Sequence, residues 1–248
     1  MTAGHDVKGE GARASSRARF LLTGALVFLG IVFVALGTWQ VQRLFWKLDL
    51  IARVDARVHA DAVPAPPRPD WQGITQGKDE YRRVSATGTF NHDKSVLVQA
   101  VTERGPGFWV LTPMRLENGT TVLVNRGFVP ADRRDRVARA NGEMPGRTGI
   151  TGLLRISEPG GAFLRSNDPG GDRWFSRDVD AIATAKGLTD VAPYFIDADA
   201  TLNAGGLPIG GLTVVRFRNS HLVYALTWFA LAVMSAGGAW LVYRRRVA

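Results

Sequence analysis

Two stretches of this chain contain no charged position. The first runs from Phe20 to Gln42, 23 residues, and the second from Asn219 to Tyr243, 25 residues. A helix rises about 1.5 Å per residue, so even the shorter stretch reaches about 34 Å, enough for a hydrocarbon core of about 30 Å. Neither shows the alternation of a barrel strand, so both predict membrane-spanning helices. Ala35-Leu36-Gly37 would also suit signal-peptide cleavage. Against cleavage, the apolar run exceeds a usual signal core and the helical pattern continues past it. Leu44, Leu48, Ile51 and Val58 recur at helical spacing, with Lys47, Asp49, Arg53 and Asp55 interleaved. This predicts a retained span and an amphipathic extension leaning on the next domain. The extension must stop before Pro64-Ala65-Pro66-Pro67-Arg68-Pro69.

Beyond the prolines the pattern changes to short runs of Val, Thr, Leu and aromatics. Strands are predicted over 82–90, 95–101, 108–116, 120–125, 150–156, 173–176, 194–197 and 212–217. Asn91-His92-Asp93, Gly105-Pro106-Gly107 and Glu117-Asn118-Gly119 separate the early ones, and Asn118-Gly119 is a hairpin signal. A short helix is predicted over 178–186, capped by Asp178 and closed by Gly187, with a weaker one over 132–140. The expected fold is a membrane protein in which two transmembrane α-helices flank a β-rich α+β outer domain. Its sheet is expected to be antiparallel and able to curl into a barrel. The boundaries are a tail (1–19, its first 16 residues reading as disordered), a first span (20–42), the outer domain with its amphipathic helix (43–218), a second span (219–243) and a tail (244–248).

Charge sets the orientation. Lys8, Arg13, Arg17 and Arg19 precede the first span, and Arg244, Arg245 and Arg246 follow the second. Positive residues in short flanks stay on the cytoplasmic side. Both termini are therefore expected in the cytoplasm and the middle domain outside. Of the net +9, the two tails carry +2 and +3. Nothing demands the concentrated basic face of a nucleic-acid binder. With no cysteine, disulfides, thiolate metal sites and covalent c-type haem attachment are excluded.

Enzyme motifs are missing: there is no HExxH, GxSxG, P-loop or dinucleotide fingerprint among the 248 residues. Asp168 and Asp172 flank Pro169-Gly170-Gly171, which reads as a turn more readily than as an ion loop. His221 stands out, because it falls about three residues inside the second span, where an ionisable residue is costly and usually faces protein or ligand. It is either an interfacial histidine aided by Asn219 and Ser220, or a metal or haem ligand, since neutral imidazole binds iron well. Trp228 is two helical turns on, on the same face, and Arg218 one turn before. A haem would use such a stripe: arginine for a propionate, imidazole for iron, indole against the macrocycle or its tail. The plainer roles are a packing or lipid-facing tryptophan and an interfacial arginine. Trp240 and Tyr243 suit an inner-interface belt, and Ser235 and Ala239 a close helix contact.

Three segments occur in a telling order. Gly37, Trp39, Gln40 and Arg43 close the first span. Val124, Asn125, Arg126 and Gly127 lie in a hairpin strand. Asn219, His221, Leu222, Tyr224, Ala225, Thr227, Trp228 and Phe229 open the second span. Together they resemble the Surfeit-1 family of cytochrome oxidase assembly factors, from about Leu36 to Tyr243. Family members often have a proline before the second-span motif, where this chain has Arg216-Phe217-Arg218. The resemblance implies a non-enzymatic protein of the bacterial inner membrane with a periplasmic domain, assisting a haem–copper oxidase. It implies haem a as the cofactor and the catalytic oxidase subunit as partner, with a haem a synthesis enzyme as a further partner. His221 would be the iron ligand, with Trp228 and Arg218 binding the cofactor and Arg43, Arg216 or Arg218 orienting propionates. The rival expectation is a membrane scaffold that binds oxidase subunits without haem. Signalling is disfavoured by short cytoplasmic ends, and copper delivery by the lack of cysteine and only four methionines.

Overall fold

The computed structural model describes residues 7–162, 164–215 and 217–244, with side chains described from Arg17 onward. The chain divides into two compact units. One joins the first 52 residues to residues 216–248, and the other is Arg53–Val215.

The first unit is a pair of helices. Helix α1 spans Val7–His59, its last turns belonging to the second unit, and the last helix, His221–Arg244, closes the described chain. Their most apolar stretches reach mean hydropathies of 2.6 and 1.6, so both are long and apolar enough to cross a membrane. Two boundaries differ from expectation. Helix α1 begins at Val7, inside the stretch expected to be disordered, and no proline interrupts it before Pro64. The last helix begins at His221, so His221 is its first residue, and Arg218 precedes the helix instead of lying a turn up the same face.

The second unit is built on strands β1 (Val63–Pro64), β2 (Arg83–Phe90), β3 (Val96–Thr102), β4 (Gly105–Leu116), β5 (Thr121–Pro130), β6 (Arg147–Ile156) and β7 (Val191–Ala198). Their order is β1-β2-β6-β7-β5-β4-β3, and a further pairing of β2 with β4 closes the ring β2-β6-β7-β5-β4 into a barrel. The sheet is mixed, not antiparallel as expected. Strand β5 runs parallel to β7, and β1 parallel to β2. A parallel neighbour needs a long crossover, supplied by the chain from β6 through helix α3 (Val179–Ala185), α2 being the single turn Gln76–Asp79.

Strand β5 explains the two-sided core. Val122 and Val124 point into the barrel with Phe90, Met114, Leu154, Tyr194 and Ile196. Leu123, between them, points outward with Leu111, Phe195, Trp174 and Ile182 of α3. Nine of its ten residues are buried, as for a central strand covered on both faces. The proline segment packs at the barrel: Val63, Ala65 and Trp71 lie on the inner cluster, and Tyr194 Oη donates to the Pro66 carbonyl at 2.9 Å.

The Asn118-Gly119 hairpin forms as predicted, with Gly119 at φ +83°, where glycine is favoured. Asp178 caps α3, accepting from the Ala181 amide at 3.1 Å. Two predicted strands are not formed. Around 173–176 there are only isolated bridges, Val98 to Trp174 and Asp168 to Arg173. Residues 212–215 have no ladder partner, and Thr213 instead donates to the Asp197 carboxylate at 2.9 Å. Residues 131–133 and 136–142 are 3-10 turns, not an α-helix. The Asp168 loop is a turn: its carboxylate accepts from the Gly171 amide and Arg173, and among the described residues no acidic or histidine cluster suits a metal ion.

Candidate functional site

In the helix pair, the residues that face each other, most of them small or aromatic, recur at alternating steps of four and three. On α1 these are Leu26, Gly30, Phe33, Gly37 and Gln40. On the last helix, α4, they are His221, Ala225, Trp228, Ala232, Ser235 and Ala239. This spacing keeps one seam facing a partner along the whole contact, and the contacts run antiparallel. Gly238 faces Leu26, and Gly30 lies against Ala232 and Ser235. Phe33 stacks on Trp228 with centroids 5.7 Å apart, and Gln40 reaches His221. Ala225, Ala232, Ser235 and Ala239 are buried, so the expected close contact through small residues is present. Gly37 leaves room for the Phe229 ring, which would lie 2.7 Å from a Cβ at that position.

The polar end of the seam is the candidate site. Gln40 Oε1 and His221 Nδ1 are 2.7 Å apart. A carbonyl oxygen can only accept, so Nδ1 carries the proton and donates. In the neutral ring this leaves the lone pair on Nε2, which has no hydrogen-bond partner among the described residues. A hydrogen bond of this kind on one ring nitrogen fixes tautomer and ring orientation for metal binding through the other. Asn219 Oδ1 is buried and unpartnered beside it in sequence. The donor chemistry therefore fits an iron-bearing ligand.

The other expected residues are placed as follows. Trp228 shares the face of His221, but its indole is engaged with Phe33 in helix packing. Arg218 is exposed in the segment before α4. Arg43 lies 5.9 and 5.2 Å over the rings of Trp39 and Trp46. Arg216 lies outside the described residues. Trp240 and Tyr243 are exposed. Gln40 and Phe33 had a legible signal, since both fall on the four-three seam and Gln40 is a polar residue inside an apolar run.

The barrel holds the second family-like segment, and each residue of it has a structural task. Asn125 donates to the buried Asp197 at 2.7 Å, which also binds Arg155 at 2.8 Å and Arg177 at 3.2 Å. Burial tends to lower the Arg155 pKa, but Asp197 and Glu80 outweigh it and hold the guanidinium above its ordinary range. Gly127 sits at φ +130°, with the Ile209 backbone against it, so a side chain has no room. Arg126 is 3% exposed. It donates to the Gly142 carbonyl and to Asn203 Oδ1, and lies 5.1 Å over the Phe90 ring. Burial pushes its pKa down to about 10.

Residues 27–233 match the SURF1 family. Surfeit locus protein 1 of Rattus norvegicus is 36% identical over 254 residues, an alignment covering 96% of this chain and 80% of the rat protein. The Homo sapiens protein of that name is 35% identical, with 87% of this chain and 75% of its own length covered. A SURF1-like protein of Monosiga brevicollis is 34% identical over 90% of this chain and 87% of its own. The matched segment takes in Gln40, the barrel, His221 and Trp228, and the chain belongs to the SURF1 family.

Proposed function

We propose that this protein is an inner-membrane assembly factor for a haem–copper oxidase, holding haem a at His221 for transfer to the catalytic subunit. One observation carries the reading: Gln40 holds the Nδ1 proton of His221 and leaves Nε2 free at the head of α4. The two long apolar helices support membrane insertion, and the flanking arginines support cytoplasmic termini with the barrel in the periplasm. His221 would hold the haem through its imidazole, and bound haem would supply an iron that this single nitrogen could release again. Arg43 and Arg218, near the polar end in sequence, would pair with propionates, while the apolar helix surface would take the hydrophobic tail. A carrier needs affinity without a closed ligand set, and a single protein ligand on one helix meets that need.

The competing reading is a scaffold without haem, favoured by the Phe33–Trp228 stack, which gives Trp228 a purely structural task. The two readings separate on one preparation. Co-expression with a haem a pathway, purification in detergent and absorption spectroscopy should give haem-loaded protein. His221→Ala should lose the axial-ligand spectrum. Arg218→Ala should weaken retention with the spectrum unaltered. Wild-type protein that retains no haem, or a His221→Ala spectrum identical to wild type, would reject the haem reading and leave the scaffold.

A further inference from the structure

The barrel contains a buried cation with no direct carboxylate partner among the described residues, beside a cavity. Arg155 and Arg177, both mostly buried, each face carboxylates: Arg155 has Glu80 and Asp197, and Arg177 has Glu158 and Asp197. Arg126 is more deeply buried and has no carboxylate within direct hydrogen-bond reach among the described residues, Glu143 acting on it only from a distance. Its hydrogen bonds go to the neutral Gly142 carbonyl, Asn203 Oδ1 and, at 3.5 Å, His92 Nδ1, and its Nε is buried with no partner. Burial lowers the His92 pKa, outweighing the bond from its Nε2 to the Met144 carbonyl at 3.2 Å, so it offers Arg126 no negative charge. The nearby Glu143 is committed to Arg136, at 2.7 and 2.9 Å. Arg139, 9% exposed and also near Glu143, has a buried Nε without a partner. A buried charge without a counterion is costly, and the domain shows at Arg155 how it satisfies one when no ligand is needed.

The cavity that Arg126 lines has a volume of about 150 Å³. A cavity of roughly that volume holds a ligand the size of benzene, about six heavy atoms. Phe90, Val124, Met144 and Ile150 make much of its wall apolar, and Asp199 also lines it. Phosphate or a dicarboxylate would bring a second negative charge towards Asp199 and the apolar wall. A monoanion with a short alkyl group matches both the guanidinium and the wall.

We propose that this cavity binds a small aliphatic monocarboxylate, its carboxylate countering Arg126 and its alkyl group resting on Phe90, Val124 and Ile150. Full-length protein in detergent is titrated calorimetrically with butyrate, with butyramide as its neutral isostere, and with inorganic phosphate. Butyrate should bind at least tenfold more tightly than either. Ala198→Leu, which fills the cavity from β7, should weaken butyrate at least tenfold while circular dichroism stays unchanged. Arg126→Lys, which keeps the charge but loses the planar fork, should weaken it less than Ala198→Leu. Equal binding of butyrate and butyramide, no heat with butyrate, or butyrate affinity unchanged in a folded Ala198→Leu would each overturn the proposal.

Discussion

Asp197 is 2% exposed, yet it receives Asn125, Arg155, Arg177 and Thr213. These groups come from β5, β6, the segment before α3, and the segment after the barrel, so one carboxylate ties together parts far apart in sequence. Removing a buried charge from its partners typically costs about 3–5 kcal/mol. Asp197→Asn keeps the shape but leaves Arg155 and Arg177 with only the outer carboxylates, Glu80 and Glu158. Its expected cost is about 3 kcal/mol, a drop of about 10 °C in melting temperature for a domain of this size. Glu117→Gln, which loses only the exposed pair with Arg147, should barely move the melt. Thermal melts of the three proteins decide the matter, and equal shifts in the two variants would show that the network has no special weight.

At the scale of elements, the helix seam depends on what is missing at Gly37. Any side chain there meets the Phe229 ring. Overpacking of this kind costs about 1–3 kcal/mol, and a pair of helices can relieve it by moving apart. Leu26→Cys with Gly238→Cys gives a reporter pair facing across the seam, unique because the natural chain has no cysteine. A short bis-maleimide should link them efficiently in the otherwise natural chain and at least fivefold less in Gly37→Leu. Undiminished linking would mean that the seam tolerates the change. The elements themselves were largely legible. Uncharged runs marked both long helices, and Val-rich runs between turn signals marked β2 to β7, because each signal is local. What was not legible depended on partners. Nothing in residues 173–176 says that their pairing with β3 will stop at one bridge, Val98 to Trp174, and nothing in 191–198 says that β7 will run parallel to β5. His221 stood out as a histidine in an apolar run, but its bond to Gln40 joins residues 181 positions apart, beyond any spacing rule. Arg126 was visible only as one residue of a motif. Its burial follows from barrel closure, which sequence periodicity does not encode.

For the whole molecule, the proposed function rests on both helices crossing one membrane with the barrel on the outer side. On that proposal an even number of spans would put both termini on one side, and Arg17, Arg19 and Arg244 to Arg246 would hold them inside. The barrel carries basic residues too, but a long domain translocates largely regardless of its charge. Labelling can test this directly, since any introduced cysteine is the sole thiol. Arg104→Cys, in the turn between β3 and β4, should react with a membrane-impermeant maleimide in cells whose outer membrane alone is permeabilised. Ala3→Cys and Val247→Cys should react only after the inner membrane is opened. Reaction at the termini in closed cells, with Arg104→Cys protected, would invert the orientation. It would also put Gln40, near the end of the uncharged run of α1, and His221, the first residue of α4, on the cytoplasmic side. Labelling of Arg104→Cys and Val247→Cys with Ala3→Cys protected would instead mean that only α1 spans. The seam would then be a contact between helices that do not share a membrane, and His221 would lose the apolar surroundings that the haem reading requires.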